Sequence, residues 1–410
     1  MGRGVMGDRT AILDHGSWSI KAGHASSALS AEADLPPLVT PTTVRVYDVR
    51  TKLQFDQIME DAETVRGGVS KTSGGAGDAS LGGGDSVEAS ANGSYTELGP
   101  VQDGVICDWD AMEALWHYIF YEQLGWEKGE EEAVLIAERM LSSSKLQREL
   151  TTQIMFEKFN TKGVYMADQA RLSLGSYGKV SGCVVDIGHG KIGVSCVADG
   201  QLHMPSGDSM PFGGEAFTHF LREAIQARNG REYSVKSAED LKHECMEVCS
   251  SSKAYQSRTA SCEEREHILP DGLTVKIGKE ALQAGEVCFQ PHLFGYKCMS
   301  LVDMVHTSIS SVADQVMKRL LTESILVAGC GSATRGMEQR VLNELKLAFP
   351  PSYSPSILRR PEYMPQTCPM HSVWVGGFIE AKLAFAQNQH ITKYDYDEYG
   401  PSVVHKKFLL

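Results

Sequence analysis

Four short apolar runs punctuate the chain, and each stops at a glycine-containing turn. Ala11-Ile12-Leu13 precedes Asp14-His15-Gly16-Ser17-Trp18, and Cys183-Val184-Val185 precedes Asp186-Ile187-Gly188-His189-Gly190. Ile325-Leu326-Val327-Ala328 precedes Gly329-Cys330-Gly331-Ser332, and Val373-Trp374-Val375 precedes Gly376-Gly377. Runs of this length bounded by glycine read as buried strands. Between them the pattern changes to the helical period. Met112, Leu115, Trp116, Ile119 and Phe120 follow Asp108, a good N-cap. Phe217, Phe220, Leu221, Ala224 and Ile225 follow Gly213-Gly214, and Met337, Val341, Leu342, Leu345 and Ala348 run toward Pro350-Pro351, which must end that helix. Such stripes are core faces. Strands that alternate with helices and stop at glycine-rich turns predict an α/β fold with a ligand at the strand ends.

One segment breaks the pattern. Gly67 to Ser94 holds nine glycines and six serines in 28 residues and no aromatic, which predicts a flexible, solvated loop inserted within a domain. Composition elsewhere is that of a globular chain: 42% hydrophobic, 22% charged, long enough at 410 residues for about two domains. The net charge of −13 argues against a protein that grips nucleic acid by itself. No apolar run reaches transmembrane length, and the N-terminus lacks a signal-peptide stretch. The ten cysteines are scattered without a Cys-x-x-Cys, so they are expected to be reduced and mostly buried.

The strand–Asp-x-Gly pattern occurs twice, at Asp14 and Asp186, 172 positions apart. Glycine lets the backbone approach a bulky anion, and successive N–H groups form a concave nest. The carboxylate orients water around a divalent cation that accompanies phosphate. One copy alone reads as a common turn. Two copies, with a third glycine turn at Gly329 to Gly331, predict two similar domains facing each other across a nucleotide.

Longer segments carry a resemblance. Trp109-Asp110-Ala111-Met112-Glu113 with Trp116-His117, Thr152-Gln153-Ile154-Met155-Phe156-Glu157 with Phe159-Asn160, Ser372-Val373-Trp374-Val375-Gly376-Gly377, and the ending from Tyr394 to His405 all resemble actin. The similarity covers nearly the whole chain outside the Gly/Ser insert and the first ten residues. Gly182 to Ile192, Gln387 to Lys393 and Pro361-Glu362-Tyr363-Met364-Pro365 resemble the nuclear actin-related proteins of plants. The resemblance implies an actin-like fold of two α/β domains around a nucleotide cleft. The outer domain would span 1–176, with the 67–94 insert, and be completed by 372–410; the inner domain would span 177–371.

Carried over residue by residue, the resemblance implies that Asp14, Gly16, Ser17 and Lys21 form the first phosphate loop and its lysine. Asp186, Gly188 and Gly190 frame the second loop, Gln169 positions attacking water, Lys242 lies at the base and ribose, and Gly329 opens the adenosine loop. The departures are Trp18 for a glycine, His189 for an aspartate, Gly193 for a histidine that assists hydrolysis, Cys330 for a glycine, His243 for a glutamate and Met370 for a lysine. Plainer readings stand beside these: Lys21 as a solvated surface lysine, His189 as a turn histidine without ligand, and Cys330 as a small residue closing a loosened pocket. The phosphate cradle is partly kept and the hydrolytic apparatus looks dismantled. ATP or ADP with Mg is therefore an expected structural ligand, with no catalytic and no metal-ligating residue assigned.

The class implies a scaffold of a SWI/SNF-type chromatin-remodelling complex, nuclear with some cytoplasmic protein. It would clamp a basic helical segment of the remodeller ATPase subunit beside other actin-related proteins or actin, without direct nucleic-acid or membrane contact. An actin-like filament protein and an active ATPase or phosphotransferase are the alternatives.

Overall fold

The computed structural model describes residues 10–25, 38–47, 87–90, 93–139, 141–362, 364 and 366–408. Two mixed sheets carry the architecture. The first runs in the order Ile391–Thr392, Gly163–Asp168, Val134–Glu138, Ala11–His15, Ser19–His24, Leu38–Pro41. The second runs Gln201–Leu202, Ile192–Ala198, Gly182–Ile187, Ile325–Ala328, with Asp208–Met210 also on Ile192–Ala198.

The same unit is built twice. Ala11–His15 is antiparallel to Ser19–His24 and parallel to Val134–Glu138. Gly182–Ile187 is antiparallel to Ile192–Ala198 and parallel to Ile325–Ala328. Each hairpin turns through four residues closed by one bond, Gly16 N–H to the Ser19 carbonyl at 3.1 Å and Gly188 N–H to the Lys191 carbonyl at 3.0 Å. The central strands are apolar because both faces are covered. Ile12, Leu135, Trp116, Phe120, Phe156 and Trp374 belong to one core, and Val185, Val194, Phe217, Val327 and Val341 to the other.

The helical stripes fold as their spacing predicts. Asp108 caps Trp109–His117 by accepting the Ala111 N–H at 2.8 Å. That helix continues into a π-helical turn, Tyr118–Gln123. Gly214–Asn229 ends at left-handed Gly230 (φ 64°), and Met337–Ala348 ends at Phe349, just ahead of the prolines.

Two expectations change. Val373-Trp374-Val375 is no strand: it lies inside the 19-residue helix Cys368–Ala386. The glycines that look like a turn are there for contact. A Cβ on Gly376 would stand 1.8 Å from the Leu172 carbonyl oxygen of the helix Gln169–Ser176, and one on Gly377 would stand 2.9 Å from Ile12. Bare glycine faces let the two backbones meet. The helix is bent at His371 (φ −121°, ψ 16°). The second change concerns the Gly/Ser insert. Residues 67–86 lie outside the described residues, but Val87–Ser90 pairs with Gly93–Leu98, which pairs with Val44–Tyr47. Alternation in Val87-Glu88-Ala89-Ser90 and in Ser94-Tyr95-Thr96 supplies the strand signal there. The cysteines divide: 183, 196, 249, 288 and 368 are buried, 245 and 298 half-buried, 107, 262 and 330 exposed, and all are free thiols. Among the described residues no helix is long and apolar enough to cross a membrane.

A fully buried ion pair and a half-buried strand-end carboxylate bear on stability. Arg340 is fully buried against the fully buried Glu286, with Nη2 to Oε1 at 2.8 Å and Nη1 to Oε2 at 3.1 Å. The Cys249 carbonyl, Ser252 hydroxyl and Glu344 take its other N–H groups, and the guanidinium lies 4.5 Å from the Phe289 ring. Every donor is met, so the charge is tolerated. Glu138, at the end of a central strand, is pushed up to about 7 by burial, against the lowering effects of the Ser143 hydroxyl and Arg148.

Removing half of the buried pair, as in Arg340→Ala, should cost about 3–5 kcal/mol in urea unfolding. Arg340→Met combined with Glu286→Leu should recover most of that loss, and a single variant that unfolds at the parent midpoint would show that the pair holds nothing. For Glu138, the folded chain keeps a proton between pH 4.5 and about 7 that the unfolded chain has released, so this group's contribution falls as pH rises. Glu138→Gln should therefore gain stability relative to the parent as pH rises from 5 to 8, by up to about 3 kcal/mol. Parallel melts at each pH read this, and curves that run parallel throughout would rule it out.

Candidate functional site

The carboxyl ends of both sets of central strands open into one cavity of about 360 Å³. Asp14 and Asp186 sit one residue before the ends of their strands, Gln169 directly follows Gly163–Asp168, and Gly329 directly follows Ile325–Ala328. All ten residues expected at the site line this cavity: Asp14, Gly16, Ser17, Lys21, Gln169, Asp186, Gly188, Gly190, Lys242 and Gly329.

The turns make a cradle that side chains would fill. Gly329 has φ +83°, and a Cβ there would stand 2.6 Å from both Asp186 Oδ1 and the Ile187 carbonyl oxygen. A Cβ on Gly190 would stand 2.9 Å from Asp103 and 3.3 Å from the Ser17 hydroxyl, so the two hairpin tips nearly touch. The turn at Asp103-Gly104 closes over them, with the Gly104 N–H donating to the Ser17 hydroxyl at 3.2 Å.

Charges inside the cavity are matched in pairs. Buried Asp14 accepts from Lys21 Nζ at 3.1 Å and from the Gln169 amide at 3.0 Å. Gln169 spends its amide nitrogen again on the His15 carbonyl at 3.3 Å. Burial works against the Lys21 charge, but Asp14, with help from Cys330 and Asp186, outweighs it and raises the ammonium above its ordinary value. Lys21 is thus no solvated surface lysine. His15 is lowered to about 4 by burial, so the neutral ring accepts the Trp116 indole N–H at 2.8 Å. His371 is likewise lowered to about 4, by burial and then by Lys21, and its Nδ1 has no hydrogen-bond partner among the described residues. Lys242 donates to the Gly214 carbonyl at 3.2 Å, the Thr218 hydroxyl at 2.8 Å and Glu239 at 3.4 Å, and burial lowers its pKa.

The departures have definite places. Trp18 is 49% exposed and forms a wall of the cavity rather than a plug. Its carbonyl accepts the Thr42 N–H at 3.0 Å. Burial lowers His189, leaving a neutral imidazole 4.0 Å from Glu215. Cys330 is exposed at the start of a single 3₁₀ turn, Cys330–Ala333. Met370 lines the cavity, and His243, which also lines it, turns its ring to Glu239 at 3.9 Å.

Sequence reasoning missed Arg139. It follows the strand Val134–Glu138 and reaches across to donate to Asp186 Oδ2. The run Ala133 to Ala137 was signal for a strand end, but it stops at Glu138-Arg139 without glycine and so escaped the pattern. The cradle and its cations fit a phosphate chain. The donor set fits a divalent metal poorly: Asp14 and Asp186 already hold cations, and His189 offers no oxygen.

Comparison with known proteins gives a consistent placement. The family model described as Actin matches residues 7–242 and 234–409. Actin-related protein 7 of Oryza sativa, in both subsp. indica and subsp. japonica, is 40% identical over 309 residues, 75% of this chain and 85% of that protein. Actin-related protein 7 of Arabidopsis thaliana is 41% identical over 311 residues, 76% of this chain and 85% of its own. Two copies of one hairpin unit, a cavity at the strand ends and a family match from end to end agree, and the chain belongs to the actin family.

Proposed function

We propose that this actin-related protein is a non-catalytic scaffold subunit of a SWI/SNF-type chromatin-remodelling complex that holds an adenine nucleotide as part of its structure. Actin-family chains generally bind a nucleotide with a divalent metal. The observation that carries the non-catalytic reading is the state of Gln169. Both donors of its amide nitrogen are taken, by Asp14 at 3.0 Å and by the His15 carbonyl at 3.3 Å, so the side chain expected to position water has only its amide oxygen to offer. Gly193 supplies no side chain where hydrolysis wants an imidazole, and the half-buried His189 is held neutral by its partial desolvation. Phosphoryl transfer depends on positioned water and charge stabilisation, and both are weakened.

The cradle itself is kept, which supports a nucleotide held for stability. Ligand at about a thousand times its dissociation constant adds about 4 kcal/mol to the fold. The charge of −13 supports a basic partner: a helical segment of the remodeller ATPase subunit, laid in a groove of the actin fold, with other actin-related proteins or actin alongside. In this reading the protein works in the nucleus, with some in the cytoplasm, and affects chromatin through that partner without gripping DNA.

Denaturing the purified native protein and chromatographing the supernatant should release ADP or ATP near one per chain, while phosphate release stays at the level of an Asp186→Ala control. An empty supernatant would overturn the nucleotide part, and hydrolysis above that control would revive the phosphotransferase alternative. Affinity purification of the tagged native protein should bring down a remodeller ATPase subunit. A lone monomer would end the scaffold reading, and a pellet with Mg and ATP at micromolar protein would favour a filament.

A further inference from the structure

We propose that Arg139 is the cation of this phosphate site, standing where a divalent metal would, so that the cavity holds a nucleoside di- or triphosphate without metal. This rests on the nucleotide reading above and names what neutralises the phosphates.

Arg139 starts in one sheet and ends at the other. Its backbone follows Val134–Glu138 in the first, and its guanidinium donates to Asp186 Oδ2 in the second. The side chain is mostly buried, at 17% exposure, and therefore crosses the cavity rather than lying in solvent.

Gly193 lies under it, where a methyl would just touch and a longer side chain would collide. A Cβ at that position would stand 3.4 Å from Arg139 Nη1, 3.5 Å from Cζ and 3.6 Å from Nη2. The guanidinium therefore lies flat against the glycine. Gly193 faces Asp186 across its hairpin as Lys21 faces Asp14 across the other. In the first hairpin the cation comes from the facing strand. In the second the facing strand has no side chain, and the cation arrives from the opposite sheet. A side chain longer than a methyl at 193 and the guanidinium of Arg139 would claim the same space.

The consequence for a metal follows from charge. A guanidinium does not give up its proton in a protein. With Arg139 on Asp186, a divalent ion would meet a fixed positive charge within a few ångströms and would have to displace it to reach the carboxylate. Lys21 holds the matching position on Asp14. A phosphate faces no such conflict. The planar fork matches its oxygens in two N–H···O bonds, beside Lys21 and the glycine turns.

The test is calorimetric titration of the full-length protein, stripped of nucleotide, with ADP and with ATP, once in EDTA and once in excess Mg²⁺. The expected result is the same dissociation constant in both, within about twofold. Arg139→Gln should weaken binding in EDTA by about tenfold or more, with Mg²⁺ restoring part of the loss. Gly193→His, which places a ring where the guanidinium lies, should behave alike, and unchanged melting curves in EDTA without nucleotide would establish that both variants fold. Wild-type binding that requires Mg²⁺, or Arg139→Gln binding in EDTA as well as the parent does, overturns the proposal while leaving the nucleotide reading intact. No binding of ADP or ATP in either buffer overturns the nucleotide reading itself, and this proposal falls with it.

Discussion

Asp14 and Asp186 stand near the ends of two central strands that open into one cavity, and a carboxylate taken partly out of water is tolerated only where a cation or hydrogen-bond donors meet it. Much of the site answers that constraint. Lys21 meets Asp14 from the neighbouring strand, and Arg139 meets Asp186 from the other sheet. The second pairing also ties the two halves together, because one ion pair spans them. The glycine turns then pack around groups whose charge is already settled, which is why Gly329 has no room for a Cβ beside Asp186.

A second tie, within the first half, is of a different kind. Cys368–Ala386 lies against Gln169–Ser176 with glycine at the closest point, and Gln169, the first residue of the second helix, touches Asp14. A methyl group at 376 would push on Leu172, three residues from Gln169, so backbone packing and site geometry are coupled over one helical turn. Away from the cavity, Arg340 binds the helix Met337–Ala348 to the end of Lys279–Glu286 and to the Cys249–Ser252 segment. That cluster makes the second half rigid without contributing to the site.

How much of this was legible depended on whether a feature was local. The strand–Asp-x-Gly turns were readable because a hairpin writes its geometry into consecutive residues, and all ten residues inferred from them and from the actin resemblance line one cavity. The Val373-Trp374-Val375 segment misled for the opposite reason. Gly376-Gly377 is a turn signal by sequence, and only the approach of Leu172, some two hundred residues earlier, makes it helix packing. Strands within the Gly/Ser insert were hidden by composition, since glycine and serine masked the short alternation at Val87–Ser90. Arg139 was illegible because its role exists only across the cavity: the position that lies under it, Gly193, is 54 residues away in the chain.

In the non-catalytic reading proposed above, the paired hairpins explain how the site keeps its shape without hydrolysis. The frame depends on backbone: the four-residue turns, the parallel pairing of the central strands and the left-handed Gly329. Hydrolysis depends on side chains that leave donors and acceptors free for water and metal. In this chain those side chains point at one another instead. The Gln169 amide nitrogen is satisfied by Asp14 and the His15 carbonyl, one Asp186 oxygen by Arg139, and the Lys242 ammonium by Gly214, Thr218 and Glu239. Satisfied groups stabilise the closed cradle, because a buried polar atom left without a partner costs about 1–3 kcal/mol. The same groups, being satisfied, have less to offer a reacting water. A site built this way is suited to hold its two halves in one geometry, which is what the scaffold role proposed above requires.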